Sequence, residues 1–377
     1  RLHFIQSPFD DKELIIFHPN HPPQKLYFDS TEADWMIEDY DFVSPPAPWG
    51  VNNQPSLACA YQGRLVVTGA QNDPETIWTS ESGNWKNFAA ATEPVPSDPL
   101  TFTPTERGVN TFVQGHRALL YGNRVNELRV TSQSGLLQPS DIGVTQQTSY
   151  GVTSTPQVQT IGNKLLLHTS GNTALRMMEY SDQVNGFNAP LITQHAEHLG
   201  RRIYRRMFYT RDPHPILWCI MLDGSITMMT FDEELNISAW TSASTNGEFI
   251  DGCVVTDAYG KNNIMLVVKR FVDGQPTYQL EAIRNMQEIQ NWQYMDSSVR
   301  IFMDGQAGEV TGLEHLNGQE VSYFIDGDYM GEAVVQDGSF TIDDPANFVD
   351  VGLSFNMYVA TLPQGPSDAL TSLQARK

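Results

Sequence analysis

Basic residues are scarce in this chain. There are 23 Lys and Arg against 44 Asp and Glu, a formal net charge of −21. A protein that grips nucleic acid phosphates or an anionic membrane through its general surface needs the opposite balance. One that lets nucleic acid pass without sticking does not. Cysteine is nearly absent. Cys59, Cys219 and Cys253 are odd in number and widely spaced, which fits neither a disulfide framework nor a zinc pattern. Long apolar runs are missing too. The longest, residues 216–222, is the length of a buried strand and far short of the ~20 residues of a membrane helix, so no spanning segment is expected. No basic-then-apolar leader follows Arg1. Nucleophile elbows, phosphate-binding Gly-Lys-Ser/Thr loops and dinucleotide glycine fingerprints are likewise absent from the sequence. At 377 residues with 40% hydrophobic content, the chain can bury a sizeable core and is long enough for two or three domains.

What is present is a recurrence of short apolar runs bounded by Gly, Asn, Asp and Pro, the signature of strands. Runs begin near Leu14, Leu65, Leu119, Leu165, Leu217 and Ile264, about 50 residues apart. Each is followed by a second run: Leu26–Phe28, Ile77–Thr79, Leu128–Val130, Leu175–Met177, Ile226–Met229 and Tyr278–Leu280. His21-Pro22-Pro23, Asp223-Gly224 and Asp273-Gly274 stand between them as turns, and Trp35, Trp85 and Trp240 follow in three units. A repeat of this length holding a hairpin and further strands predicts an all-β fold with a β-propeller-like body over residues 1–295. A sandwich with evenly spaced hairpins is the competing architecture. Residues 136–158 are polar and read as linker rather than blade.

From Asp296 the character changes. Residues 296–362 hold twelve acids and one base, Arg300, a net of −11. Short strands are expected at Val299–Phe302, Glu320–Phe324, Glu332–Val335 and Ser339–Ile342, with Asp326-Gly327-Asp328 and Asp337-Gly338 as hairpin turns, making a small acidic β-domain. Residues 363–377 read as a linker or the start of a further element.

Few constellations promise chemistry. His195-Ala196-Glu197-His198 has its imidazoles at i, i+3 with the Glu between them, unlike the i, i+4 pair of a zinc protease. Asp326 to Asp337 echoes a calcium loop, but Met330 occupies a ligand position and strands flank it. No metal or organic cofactor is expected. Asp232, Glu233 and Glu234 are neighbouring acids, and Asn236-Ile237-Ser238 is a glycosylation sequon by pattern. Trp218, Trp240 and Trp292 are candidate sugar platforms. Arg201, Arg202, Arg205 and Arg206 form the one basic cluster. In so acidic a chain, salt bridges between subunits or blades are its expected use, with phosphate contact the alternative.

Several stretches resemble the tail nozzle (tail tubular protein B-like) proteins of short-tailed bacteriophages. They are Phe4-Ile5-Gln6 with residues 18–26, Gln62-Gly63-Arg64-Leu65 with residues 77–88, Glu197-His198-Leu199 with Pro215–Trp218 and Asp223-Gly224-Ser225, and residues 315–321 with Val351-Gly352-Leu353. The resemblance implies the central part of a longer virion protein, assembled in the host cytoplasm. It implies a homohexameric tube that meets the head-to-tail adaptor and tail fibres, and through which double-stranded DNA leaves the capsid. Carboxylates along that path would repel phosphates. The turn acids Asp326, Asp328, Asp337, Asp343 and Asp344 are the candidates, because hairpin tips project. A carbohydrate-binding or polysaccharide-degrading tail protein and a non-viral propeller scaffold are the alternatives.

Overall fold

The computed structural model describes residues 2–359 except 11, 106–107, 173, 195, 201–202, 233–236, 258 and 284–292. The chain divides into two compact units, Arg1–Ser244 with Asp251–Ile264, and Thr245–Ile250 with Met265–Lys377. The division falls within the sixth repeat rather than after residue 295.

The first unit is built from five consecutive four-stranded antiparallel meanders. Sheet 1 comprises His3–Gln6, Glu13–His18, His21–Asp29 and Asp34–Asp39; sheet 2 comprises Leu57–Tyr61, Arg64–Thr68, Ile77–Thr79 and Leu100–Phe102. Sheet 3 comprises Phe112–Gly115, Leu119–Gly122, Glu127–Thr131 and Gly143–Thr148; sheet 4 comprises Gln159–Ile161, Lys164–His168, Leu175–Ser181 and Gly186–Asn188. Sheet 5 comprises Tyr204–Thr210, Ile216–Met221, Ile226–Asp232 and Ile237–Ala243. Each sheet uses its strands in chain order, the blade pattern of a propeller-like all-β fold. A three-stranded sheet 6 follows (Glu248–Thr256, Asn262–Val272, Gln275–Ile283). Helix is confined, among the described residues, to the single turns Glu197–Gly200 and Glu314–Leu316.

The six leading runs are the second strands of sheets 1 to 6, and their partners are the third strands. The central hairpins of sheets 2 to 5 show clearly in the sequence because they are largely buried on both faces, whereas the third strand of sheet 6 exposes Tyr278 and Leu280. In sheet 2, Leu65 and Val67 pack with Ile15 and Phe17 of sheet 1, while Val66 packs with Leu119 and Tyr121 of sheet 3. In sheet 3, Leu120 turns the other way, to Leu165 and Leu167 of sheet 4. Leu166 in turn joins Leu217 and Cys219 of sheet 5. Alternation along a strand thus points to two different cores, and both must be apolar.

Four expectations need correction. Residues 136–158 are not simply linker: Gly143–Thr148 is the outer strand of sheet 3, paired with Glu127–Thr131. It reads as polar because an outer strand is half-exposed. His21-Pro22-Pro23 is not a turn but the start of a strand, where a prolyl residue is tolerated and a register shift breaks the ladder. The tryptophans are not equivalent. Trp35 is exposed on an outer strand, while Trp85 lies buried in the loop between the third and fourth strands of sheet 2, packed in the core that also holds Ile15 and Phe17 of sheet 1. Finally, two strands after residue 295 are long.

Those strands belong to sheet 7, in the second unit, with order Asp296–Val310, Phe340–Leu353, Glu320–Ile325, Asp328–Val334. Register shifts near Asp304 and Gly305, both at positive φ, interrupt the first strand, which is why it reads as short in sequence. Val310, Val321, Val335, Val349 and Val351 anchor its core at 0% exposure. The turn at Asp326-Gly327 has φ of 50° and 100°, and a β-carbon strains a hairpin at such positions unless Gly or Asx occupies them.

Two-sided burial has a direct test. Leu165 and Leu166 are adjacent, 1% and 0% exposed, and face opposite cores. Each Leu→Ala change is expected to cost about 2–5 kcal/mol in urea unfolding. A strand with one solvated face would make one of the two nearly neutral.

Candidate functional site

The candidate acids do not converge. Asp326 flanks the turn before Asp328–Val334, and Asp337 lies in the next turn; all five are exposed. Asp343 and Asp344 are not at a hairpin tip. They sit inside the strand Phe340–Leu353, because chain pairing continues through the irregular stretch opposite Gln306 and Gly308. Asp326 is committed to the scaffold. Its carboxylate accepts the N–H groups of Asn347 at 3.0 Å and Phe348 at 3.0 Å and the Asn347 side-chain amide at 3.1 Å. The Phe348 N–H, followed by that of Asn347, holds its carboxyl below the usual range. Asp328, Asp337, Asp343 and Asp344 remain as solvent-facing carboxylates.

Two other acids of the small domain are neutralised inside the second unit. Asp350, fully buried, takes a bidentate pair from Arg300, at 2.7 Å through both Nε and NH2. Arg300 is thereby held above its ordinary pKa, and its guanidinium also lies 4.1 Å from the Phe348 ring centre. Asp296 receives NH2 of Arg270 at 2.9 Å. Arg270, 3% exposed, uses all five of its N–H groups. It bonds Glu281 at 2.6 and 2.9 Å, Asp296, the Thr245 hydroxyl at 2.9 Å and the Asn246 carbonyl at 3.0 Å. Burial pulls its pKa down, but Glu281 and Asp296 outweigh that and hold it high.

Of the arginine cluster, Arg201 and Arg202 lie outside the described residues. Arg205 and Arg206 stand on the first strand of sheet 5, and Arg206 Nε lies 3.6 Å from Asp251 within the same unit. His195, Glu233, Glu234, Asn236, Trp292 and residues 363–377 are also outside the described residues. Trp218 is buried, stacked on Phe208 at 6.2 Å, and donates to the Thr210 hydroxyl at 3.2 Å; Trp240 is half-buried against the sheet 4–5 core. Neither offers an open platform. Among the described residues no three His, Cys, Asp or Glu side chains gather as a metal site, and no helix is long and apolar enough to cross a membrane. Burial pushes the Cys59 thiol up to about 12 and raises that of Cys219 as well.

Three features escaped sequence reading. One is a cavity of about 480 Å³ lined by the first strands of sheets 1, 2 and 3 and by Gln157 and Val158. His3 bridges it, donating from Nε2 to the Ala58 carbonyl at 2.7 Å while Nδ1 accepts from Gln157 at 2.8 Å. Its lining carries no carboxylate, lysine or arginine. The second is Arg64, 2% exposed, whose guanidinium bonds the carbonyls of Ser80, Asp98 and Pro96 at 2.6–2.7 Å. The third is Glu127, 1% exposed, which accepts from the Thr148 hydroxyl and the Tyr150 N–H. A single polar letter in a strand gives no hint of its partners.

No family model matches the chain, and no curated protein matches it. Solved structures do. The β-propeller domain of Myceliophteria thermophila Cps50 (Swd1) aligns with TM-score 0.42 and 9% identity over 74% of this chain and 85% of that one. A putative 6-phosphogluconolactonase from Bacteroides uniformis gives 0.43 and 10% over 74% and 87%, and a luciferin-regenerating enzyme 0.41 and 9% over 71% and 82%. These likenesses are loose. The propeller-like description rests on the order of the sheets.

Burial pushes the Glu127 carboxyl above its ordinary range, over the opposing hydrogen bonds. With the folded pKa raised, its contribution to stability is complete below the unfolded value near 4.5 and is lost as pH rises through the folded value. Glu127→Gln keeps a carbonyl acceptor for Thr148 and Tyr150 and cannot ionise. Thermal unfolding from pH 4 to 8 should therefore show a smaller loss of stability in the variant than in the parent. A steeper loss would contradict the assignment.

Proposed function

We propose that this chain is a non-catalytic structural component of a short-tailed phage nozzle. In this reading it forms a homohexameric ring with the head-to-tail adaptor and tail fibres as neighbours, and double-stranded DNA passes without specific binding. The observation that carries the proposal is where the nozzle-like motifs fall: on residues that hold the scaffold together. Gln62 and Gly63 form a left-handed turn (φ 48° and 72°), and the Gln62 side chain clamps residues 135–137 by donating to Gly135 O at 2.9 Å and accepting from Leu137 N at 2.8 Å. Next in the motif, Arg64 ties three carbonyls. Glu81 of the following stretch accepts from Asn87 at 2.8 Å beside the buried Trp85. In the second unit, Asn317 donates to Asp273 at 2.7 Å, and its carbonyl oxygen receives Gly338 N–H at 3.1 Å. Motifs made of turn clamps and buried ties fit a protein whose work is to hold a shape.

The acidic balance supports the DNA-path part of the reading. Once Asp326 is set aside as structural, Asp328, Asp337, Asp343 and Asp344 are the candidate acids left exposed to act on a passing phosphate. The cavity beside His3, at about 480 Å³, is too small to pass duplex DNA, so in this reading the lumen lies between subunits.

Electron microscopy of the purified protein should show six-fold rings. Particles carrying Asp328→Lys, Asp337→Lys, Asp343→Lys and Asp344→Lys together should assemble and eject DNA slowly at low salt, with the delay relieved by added salt. Monomers at every concentration would remove the ring reading; normal ejection at low salt would remove the lumen role of these acids.

A further inference from the structure

The outer strand of sheet 1, Asp34–Asp39, is exposed at all six residues, including Trp35 at 57%, Met36 at 41% and Ile37 at 57%. Sheet edges are ordinarily blunted by charge or covered. Here Trp35 and Ile37 share one face with Asp39, and Asp34 and Glu38 share the other with Met36. Register pairs Trp35 with Phe28 and Ile37 with Leu26, and the Trp35 and Phe28 rings meet edge-on at 5.6 Å. Leu14, opposite Leu26, extends that apolar face across the sheet. Asp34, Met36 and Glu38 point to the other face, where Glu38 meets Lys25 at 2.6 Å.

The main chain is poised as well. Tyr40 N–H donates to Pro23 O at 2.8 Å, so antiparallel alternation assigns Glu38 and Met36 to the inward ladder and turns the N–H and C=O of Trp35, Ile37 and Asp39 outward. The Trp35 N–H is closed by the Asp34 carboxylate at 2.7 Å. Ile37 is thus the central outward position.

Charge selects the occupant. Residues 32–41 contain Glu32, Asp34, Glu38, Asp39 and Asp41 and no base. A second copy pairing edge to edge would set acid against acid, which is unfavourable. We propose that this edge receives an extended segment of a different protein, in which apolar residues alternate with Lys or Arg. Paired as a fifth strand, its apolar side chains would extend the Trp35–Ile37 face, and its cations would lie beside Asp34 and Glu38. The proposal does not depend on the ring reading.

The probe is a fluorescently labelled peptide of about eight residues alternating Lys and Val, titrated against the full chain by anisotropy. Saturable binding is expected, weakening with salt, with a blue shift of tryptophan emission that Trp35→Phe removes. Ile37→Pro deletes an outward N–H without touching the inward ladder, and should weaken binding by about tenfold or more. The pair Asp34→Lys and Glu38→Lys should do the same. If Ile37→Pro does not fold, Trp35→Thr with Ile37→Thr replaces it. The proposal is overturned by absent binding, by equal binding of a Glu-Val peptide, or by unchanged binding in a folded Ile37→Pro protein. Sedimentation showing self-association that Ile37→Pro abolishes, with no peptide bound, would assign the edge to a second copy instead.

Discussion

A middle strand of a stacked meander has no solvent face, and most of the first unit follows from that constraint. Leu65, Val66 and Val67 are each 0% exposed, although they point alternately to sheets 1 and 3. Burial at ~25 cal/mol per Å2 on both sides of the same strand makes neighbouring sheets mutually dependent. Removing one sheet would strand an apolar face on the next. Cooperativity along the series is thus a property of the individual strand, and the ~50-residue repeat is the length of chain needed to make one such strand and its three companions.

The same constraint governs what could be read from sequence. Short, mostly apolar runs identified the second and third strands, because burial from both sides leaves few polar letters among them. Outer strands were harder. Gly143–Thr148 is half-exposed and looks like linker, and Asp34–Asp39 mixes acids with tryptophan and isoleucine. Turn chemistry at Asp326-Gly327 and Asp337-Gly338 was legible because positive φ restricts the residue choice. Individual polar anchors were not. Arg64, Arg270 and Glu127 look like any surface residue until the fold supplies their partners. Asp343 and Asp344 were read as turn acids at a projecting tip, whereas long-range pairing with Asp296–Val310 keeps them inside a strand.

Charge in the second unit divides into two populations. Asp296, Asp326 and Asp350 are consumed by hydrogen bonds or guanidinium groups, and Glu281 shares Arg270 with Asp296. Others, among them Asp328, Asp337, Asp343 and Asp344, face solvent. Counting acids in a sequence therefore overstates the field that a ligand would meet, and a charge-based argument has to begin from the subset that the scaffold leaves free.

The three arginine hubs differ in one chemical respect. Arg270 and Arg300 are neutralised by carboxylates, whereas Arg64 is satisfied by the carbonyls of Ser80, Pro96 and Asp98. Carboxylates take up protons in acid; peptide carbonyls do not. The Arg64 clamp of the first unit therefore has no acceptor that can be discharged, whereas the guanidinium ties of the second unit run through carboxylates.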